Sequence, residues 1–163
     1  MDETQMLWLL NSAPTVDGDV QELIVEDDET FQLIQNLGGR PGPAAVEALR
    51  AVRDDLHRVI RGTDDTGALQ RHLRGVVGRP ELTEGGVTWQ PDFSGADEVS
   101  ARVVLAWSDL ATRLPGRVRA CANSECSKFL IDHSRPGSAR WCSMAECGNR
   151  LKARRHSARR STV

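Results

Sequence analysis

The sequence predicts a mainly α fold with one small β-hairpin, an α+β chain in two parts: a helical N-terminal domain over residues 1–114 and a small module over 115–163. Three observations lead there. Apolar residues recur at the helical period through much of the first part. All four cysteines fall within the last 43 residues, as Cys121-x4-Cys126 and Cys142-x4-Cys147, with fifteen residues between the pairs. The net charge of −2 conceals a split. Residues 1–112 hold 9 Arg and no Lys against 20 acidic residues, whereas 113–163 hold 12 basic residues against 3 acidic.

Taken in order, the apolar run at 6–10 stops at Asn11-Ser-Ala-Pro14, and its length fits either a strand or one helical turn. Glu26-Asp-Asp-Glu29 precedes Phe31, Leu33, Ile34 and Leu37. Acidic residues suit a helix N-terminus and Gly38-Gly39 would stop it. Pro43 opens a longer helix, with Val46, Leu49, Val52, Leu56 and Val59/Ile60 on one face and Gly62 past its end. A third helix is predicted over 65–77. The hairpin signal is Pro80-Glu-Leu-Thr and Val87-Thr-Trp-Gln90 around Glu84-Gly85-Gly86. Ser94-x-x-Asp97 resembles a capping box for a helix running to about 113, which Pro115-Gly116 ends.

The longest apolar runs are five residues, against roughly twenty for a membrane span. With no basic-then-apolar opening, the expectation is a cytoplasmic protein whose thiols stay reduced. Clustered cysteines there favour a metal over two disulfides, which are the alternative. Cys121, Cys126, Cys142 and Cys147 would hold one structural zinc ion, leaving no open position for catalysis. His133 or His156 could replace a cysteine, but four thiols already complete the shell. The order of knuckle, hairpin and helix, with Ser143-x-x-Glu146 as a capping pattern at the second pair, follows the plan of a treble clef. Gly148 weakens the first helical turn and suggests that it is distorted around the metal. Few large apolar residues stand in 115–163, so the metal is expected to fold that module. The 1–114 domain is long enough to bury a core of its own.

The segment after the last cysteine is rich in Arg. Arg140, Asn149, Arg150, Lys152, Arg154, Arg155, Arg159 and Arg160 are the candidate nucleic-acid contacts. Arg and Lys neutralise phosphates, Arg forks onto a guanine edge, and Asn suits an adenine edge. The bland reading, a solvated helix end whose cations complement the dipole, accounts for only some of them.

The stretch Cys121-x4-Cys126-x2-Phe129-x2-Asp132-x-Ser134, followed by Arg140-Trp141-Cys142-Ser143-Met144-x2-Cys147-Gly148-Asn149-Arg150-x-Lys152, resembles the CGNR zinc finger. The resemblance implies four cysteine ligands to zinc, an ABATE-type domain over 1–114, and a bacterial transcriptional regulator linked to stress. In the opening segment Asn11-Ser12 keeps the family's Asn, but the usual Thr and nearby Asp are missing.

Three function classes follow. The first is a DNA-binding regulator, with a homodimer supplying two half-sites. The second is a zinc-stabilised module for a protein or RNA partner, using exposed Phe129 and Trp141. The third, an enzyme, is not expected. His57 and His72 lie in Arg-rich helical patterns that read as surface, and no phosphate loop or nucleophile elbow occurs. Neither a small-molecule effector nor the DNA target is identified by these residues.

Overall fold

The structure, a computed structural model, describes residues 1–95, 97–150 and 152. The ambiguous run at 6–10 is helical, within α1 (Glu3–Leu10). Asp2 accepts the Gln5 N–H at 2.8 Å while the Gln5 side chain accepts the Asp2 N–H at 3.0 Å. This reciprocal cap satisfies two donors and selects helix over strand. An unpredicted hairpin follows, β1 (Thr15–Val16) and β2 (Asp19–Val20), turning through Asp17-Gly18 with φ of 53° and 95°. Asp-Gly is a favoured pair for a two-residue turn with both residues left-handed.

Helix α2 (Asp28–Asn36) is capped by Asp27, which accepts the Thr30 N–H at 2.9 Å. Helix α3 (Pro43–Arg61) ends at Gly62, left-handed at φ 72°. The helix predicted over 65–77 is instead a 3-10 helix over Thr66–Leu73. Gly75, at φ 82°, turns the chain out of it, and Val77 already belongs to a strand. The expected hairpin is longer than its turn signal suggests: β3 (Val77–Thr83) pairs with β4 (Gly86–Asp92). Asp97, not Ser94, caps α4 (Glu98–Arg113), since the Ser94 N–H goes to Asp92 at 2.9 Å.

Helices α1, α3 and α4 enclose a core in which Leu9, Ile34, Leu49, Val52, Leu56 and Val103 are fully buried. Two ion clusters lock loops onto α3. Arg53, buried, forks onto both Glu22 oxygens at 2.6 and 2.8 Å and reaches Ser12 Oγ at 3.2 Å. Asp55, also buried, receives Arg58, Arg71 at 2.6 Å and His72 at 2.8 Å. His72 is thus a half-buried partner of a buried carboxylate, not the surface residue its pattern suggests.

Past α4 the chain forms a third hairpin, β5 (Val118–Ala120) with β6 (Phe129–Ile131). Phe129 inserts into the helical core and is 1% exposed. The Asn11 amide clamps its backbone from both sides: Oδ1 accepts the Phe129 N–H at 2.7 Å and Nδ2 donates to its carbonyl at 3.3 Å. The His57 ring lies 4.5 Å from the phenyl centroid and the Arg61 guanidinium 4.7 Å from it. His57 is half-buried, with Nε2 2.8 Å from the Leu10 carbonyl, so it too departs from the surface expectation.

Gly39 marks how tightly α2 meets α4: a Cβ there would lie 2.2 Å from Val99 Cγ2 and 3.1 Å from Ile34 Cγ2. Gly39→Ala is therefore expected to destabilise the chain by about 1–3 kcal/mol through overpacking. Urea unfolding checks this. An unchanged midpoint would show that the helices separate freely.

Candidate metal centre

The first cysteine pair stands in the loop that β5 and β6 carry. Cys121 donates its N–H to the Lys128 carbonyl at 2.9 Å, and Cys126 donates to the Asn123 carbonyl at 2.9 Å. These bonds curl the loop so that both thiols face one point. The second pair arrives from the other direction, after the Ala122 N–H binds the Arg140 carbonyl at 2.8 Å. Cys142 precedes a π-turn over Met144–Gly148, in which Gly148 donates to the Ser143 carbonyl at 3.0 Å. Ser143 caps the turn by accepting the Glu146 N–H at 3.3 Å. The turn is distorted, as Gly148 suggested. The space above its Cα holds the Met144 Sδ and the Trp141 edge, at 2.7 and 3.4 Å from where a Cβ would stand.

All four Sγ atoms lie within 4.8 Å of one another. Cys126 to Cys142 and Cys142 to Cys147 are each 3.7 Å. A tetrahedron with metal–sulfur bonds of about 2.3 Å has edges near 3.8 Å. A disulfide needs about 2.05 Å. The spacing fits a metal and not sulfur–sulfur bonds, and all four cysteines are free thiols. Two N–H groups aim at sulfur: the backbone N–H of Cys142 to Cys121 at 3.5 Å and the buried Asn123 amide to Cys147 at 3.5 Å. Such donors orient the ligands of a thiolate site and temper its charge. Burial pushes the Cys126 and Cys142 thiols up. Burial acts on Cys147 the same way, but the Asn123 amide and the neighbouring thiols outweigh it and its thiol moves down. A divalent cation would supply the charge that holds all four as thiolates.

Asp132 shapes the loop between the pairs. Its buried carboxylate accepts from Ser134 Oγ at 2.6 Å, Ser134 N–H at 2.9 Å and Ala139 N–H at 3.1 Å. Chiefly the Ser134 hydroxyl holds this carboxyl below its ordinary range, joined by the two N–H groups and Arg117, against burial. Arg117 also donates to the Ser134 carbonyl at 2.7 Å and Arg119 to the Gly137 carbonyl at 2.9 Å. These two arginines thus serve the loop. His133 meets Glu3 at 3.0 Å and stands apart from the thiols, while His156 lies outside the described residues.

Of the candidate nucleic-acid contacts, Arg140, Asn149, Arg150 and Lys152 are exposed. Arg140 lies 5.4 Å over the Trp141 ring. Arg150 borders a groove of about 340 Å³ that runs past Cys126, Lys128 and Cys147 to the β1–β2 turn. Arg154, Arg155, Arg159 and Arg160 lie outside the described residues. Asn11 and Asn123 were not singled out as site-building residues. Asn123 had a local signal, its place two residues after Cys121 inside the ligand loop, whereas the contact of Asn11 with residue 129 had none.

Residues 117–160 match the family model described as CGNR zinc finger. No curated protein matches the chain. The match covers the four-thiol cluster and leaves the ABATE-type domain expected over 1–114 unmatched.

Because Phe129 belongs to both the ligand hairpin and the helical core, Phe129→Ala is expected to cost about 3–5 kcal/mol of stability. It should also weaken metal retention against a chelator. Loss of one effect without the other would separate the two regions. Burial, with Arg53 and Arg61, sets the His57 imidazole below its ordinary value of 6.5, despite the Leu10 carbonyl that draws it up. The neutral ring is thus the folded form, and its contribution is complete above pH 6.5 and declines as acid approaches the folded value. The stability gap between wild type and His57→Gln should shrink on acidification from neutrality. A gap constant with pH would refute the assignment.

Proposed function

We propose that this chain is a zinc-dependent DNA-binding protein acting as a transcriptional regulator, with one structural zinc ion held by Cys121, Cys126, Cys142 and Cys147. The observation that carries the reading is the strongly basic composition of 113–163 around a four-thiol cluster. Arg113, Arg117, Arg119 and Lys128 are engaged within the fold. That leaves Arg135, Arg140, Arg150 and Lys152 as exposed cations among the described residues. Arg154, Arg155, Arg159 and Arg160 add four more cations to the same stretch of sequence. Four thiols fill a tetrahedral shell, so the metal's role is to build the module and leaves no open position on the ion. The acidic helical part would carry regulation or assembly.

The alternative, a module for a protein or RNA partner, relied on exposed aromatic residues. Phe129 is enclosed by the helical core, so that reading loses one of its two contacts. The test begins with native mass spectrometry, where one zinc per chain is expected. Fluorescence anisotropy then compares duplex DNA with RNA over a salt series. Each phosphate contact contributes a slope of about −0.9 in log K against log salt on duplex DNA. The triple variant Arg150→Ala, Arg154→Ala, Arg155→Ala should lose affinity and flatten that slope by up to about 2.7. Tighter binding to RNA, or an unchanged slope, would overturn the DNA reading.

A further inference from the structure

The four thiols of the metal centre are not equivalent, and the difference lies in what surrounds each sulfur. Cys121 and Cys147 are buried, at 7% and 3% exposed, whereas Cys126 and Cys142 are half-buried. N–H groups are directed at three of the sulfurs. The Cys142 backbone donates to Cys121 and the Asn123 amide to Cys147, each at 3.5 Å, and the Lys128 backbone N–H faces Cys126. Among the described residues, none is directed at Cys142. A thiol that coordinates a metal is deprotonated outright. Its reactivity is then set by access and by the donors that draw off its charge. Cys142 combines access with the fewest donors. Cys126 and Cys147 both lie 3.7 Å from it. Cys147 is held by Asn123 and by its own N–H bond to the Ser143 carbonyl at 3.1 Å within the π-turn. Cys126 instead borders the open groove that Lys128 and Arg150 line.

We propose that Cys142 is an oxidation site with Cys126 as its resolving thiol, so that a peroxide converts the pair to a disulfide and dismantles the metal centre. This chemistry rests on the zinc site proposed above and is independent of DNA contact. The Cys142 thiolate attacks one peroxide oxygen: an S–O bond forms, the O–O bond breaks and hydroxide leaves. The Cys126 thiolate then attacks the Cys142 sulfur: an S–S bond forms, the S–O bond breaks and a second hydroxide leaves. The two sulfurs give up two electrons, which the peroxide takes. The pair has only to close from 3.7 Å to about 2.05 Å. Cys121 and Cys147 alone do not complete a tetrahedral shell. The Cys126 loop also touches the helical part, where Ser127 Oγ accepts the Thr15 N–H at 2.8 Å and the Ser127 carbonyl accepts from Arg61 at 2.6 Å. A link formed at Cys126 is therefore felt at β1 and at the end of α3.

The test treats the zinc-loaded full chain with about one equivalent of hydrogen peroxide, the two-electron requirement of a single disulfide. Released zinc is read with a chromogenic chelator, and sulfur links are mapped by mass spectrometry of non-reduced peptides. Expected are zinc release, a Cys126–Cys142 disulfide, and recovery of zinc binding on adding a dithiol reductant and zinc. Substoichiometric N-ethylmaleimide on the unoxidised chain should label Cys142 about tenfold faster than Cys147. Asn123→Ala, which strips the side-chain donor from Cys147, should narrow that ratio. Zinc that stays bound through the peroxide treatment, a disulfide other than Cys126–Cys142, or first labelling at another cysteine would overturn the proposal and leave the zinc site standing. A chain that holds no zinc before treatment would overturn the zinc site itself, and this oxidation with it.

Discussion

One phenyl ring belongs at once to the helical core and to the hairpin that carries the thiols. Phe129 follows the first cysteine pair by three positions, yet it is packed with Met6, Leu9 and Leu56 in the helical core. Asn11 holds its backbone through both hydrogen-bonding groups, and His57 and Arg61 meet its ring. The ligand hairpin is therefore anchored at its base by residues more than fifty positions away. Energy that organises the thiols also organises the core, and the reverse holds. A change at either end that shifts Phe129 is transmitted through packing, without a flexible connection between them.

Much of this was legible in the sequence where the signal was local. Gly62 and Pro43 mark helix ends by backbone geometry and the acidic run at 26–29 by its charge, and the structure places those ends there. The cysteine spacing stated the thiol cluster. What escaped was of two kinds. Some signals were present but outweighed by a competing one, such as the Asp2…Gln5 cap before an apolar run too short to classify, or the Asp17-Gly18 turn between very short strands. Others had no local trace. His72 reads as surface because nothing nearby in sequence announces Asp55, and Phe129 reads as a candidate contact because its pocket is built from distant residues.

The acidic excess of the first part also takes on a role that composition alone does not express. Glu22 and Asp55 are engaged by Arg53, Arg58, Arg71 and His72, fastening a loop and the 3-10 helix to α3. Buried ions of this kind contribute little net stability when intact but cost several kcal/mol when one partner is removed. They therefore specify an arrangement more than they strengthen it. The basic part divides similarly, with Arg117 and Arg119 spent on the Asp132 loop and Arg135, Arg140, Arg150 and Lys152 exposed among the described residues.

The wide turn at Met144–Gly148 has a geometric consequence for Asn149 and Arg150, which follow it directly. A π-turn holds one more residue than an α-turn, so the two residues after it are rotated by about 100° from where an uninterrupted helix would put them. A helical wheel drawn from Met144 through Cys147 thus misassigns the sides of Asn149 and Arg150. The extra residue works as a phase offset between the half of the segment that faces sulfur and the half that leads away from it. Deleting one position there would keep both basic and thiol side chains while turning Asn149 and Arg150 to a different side.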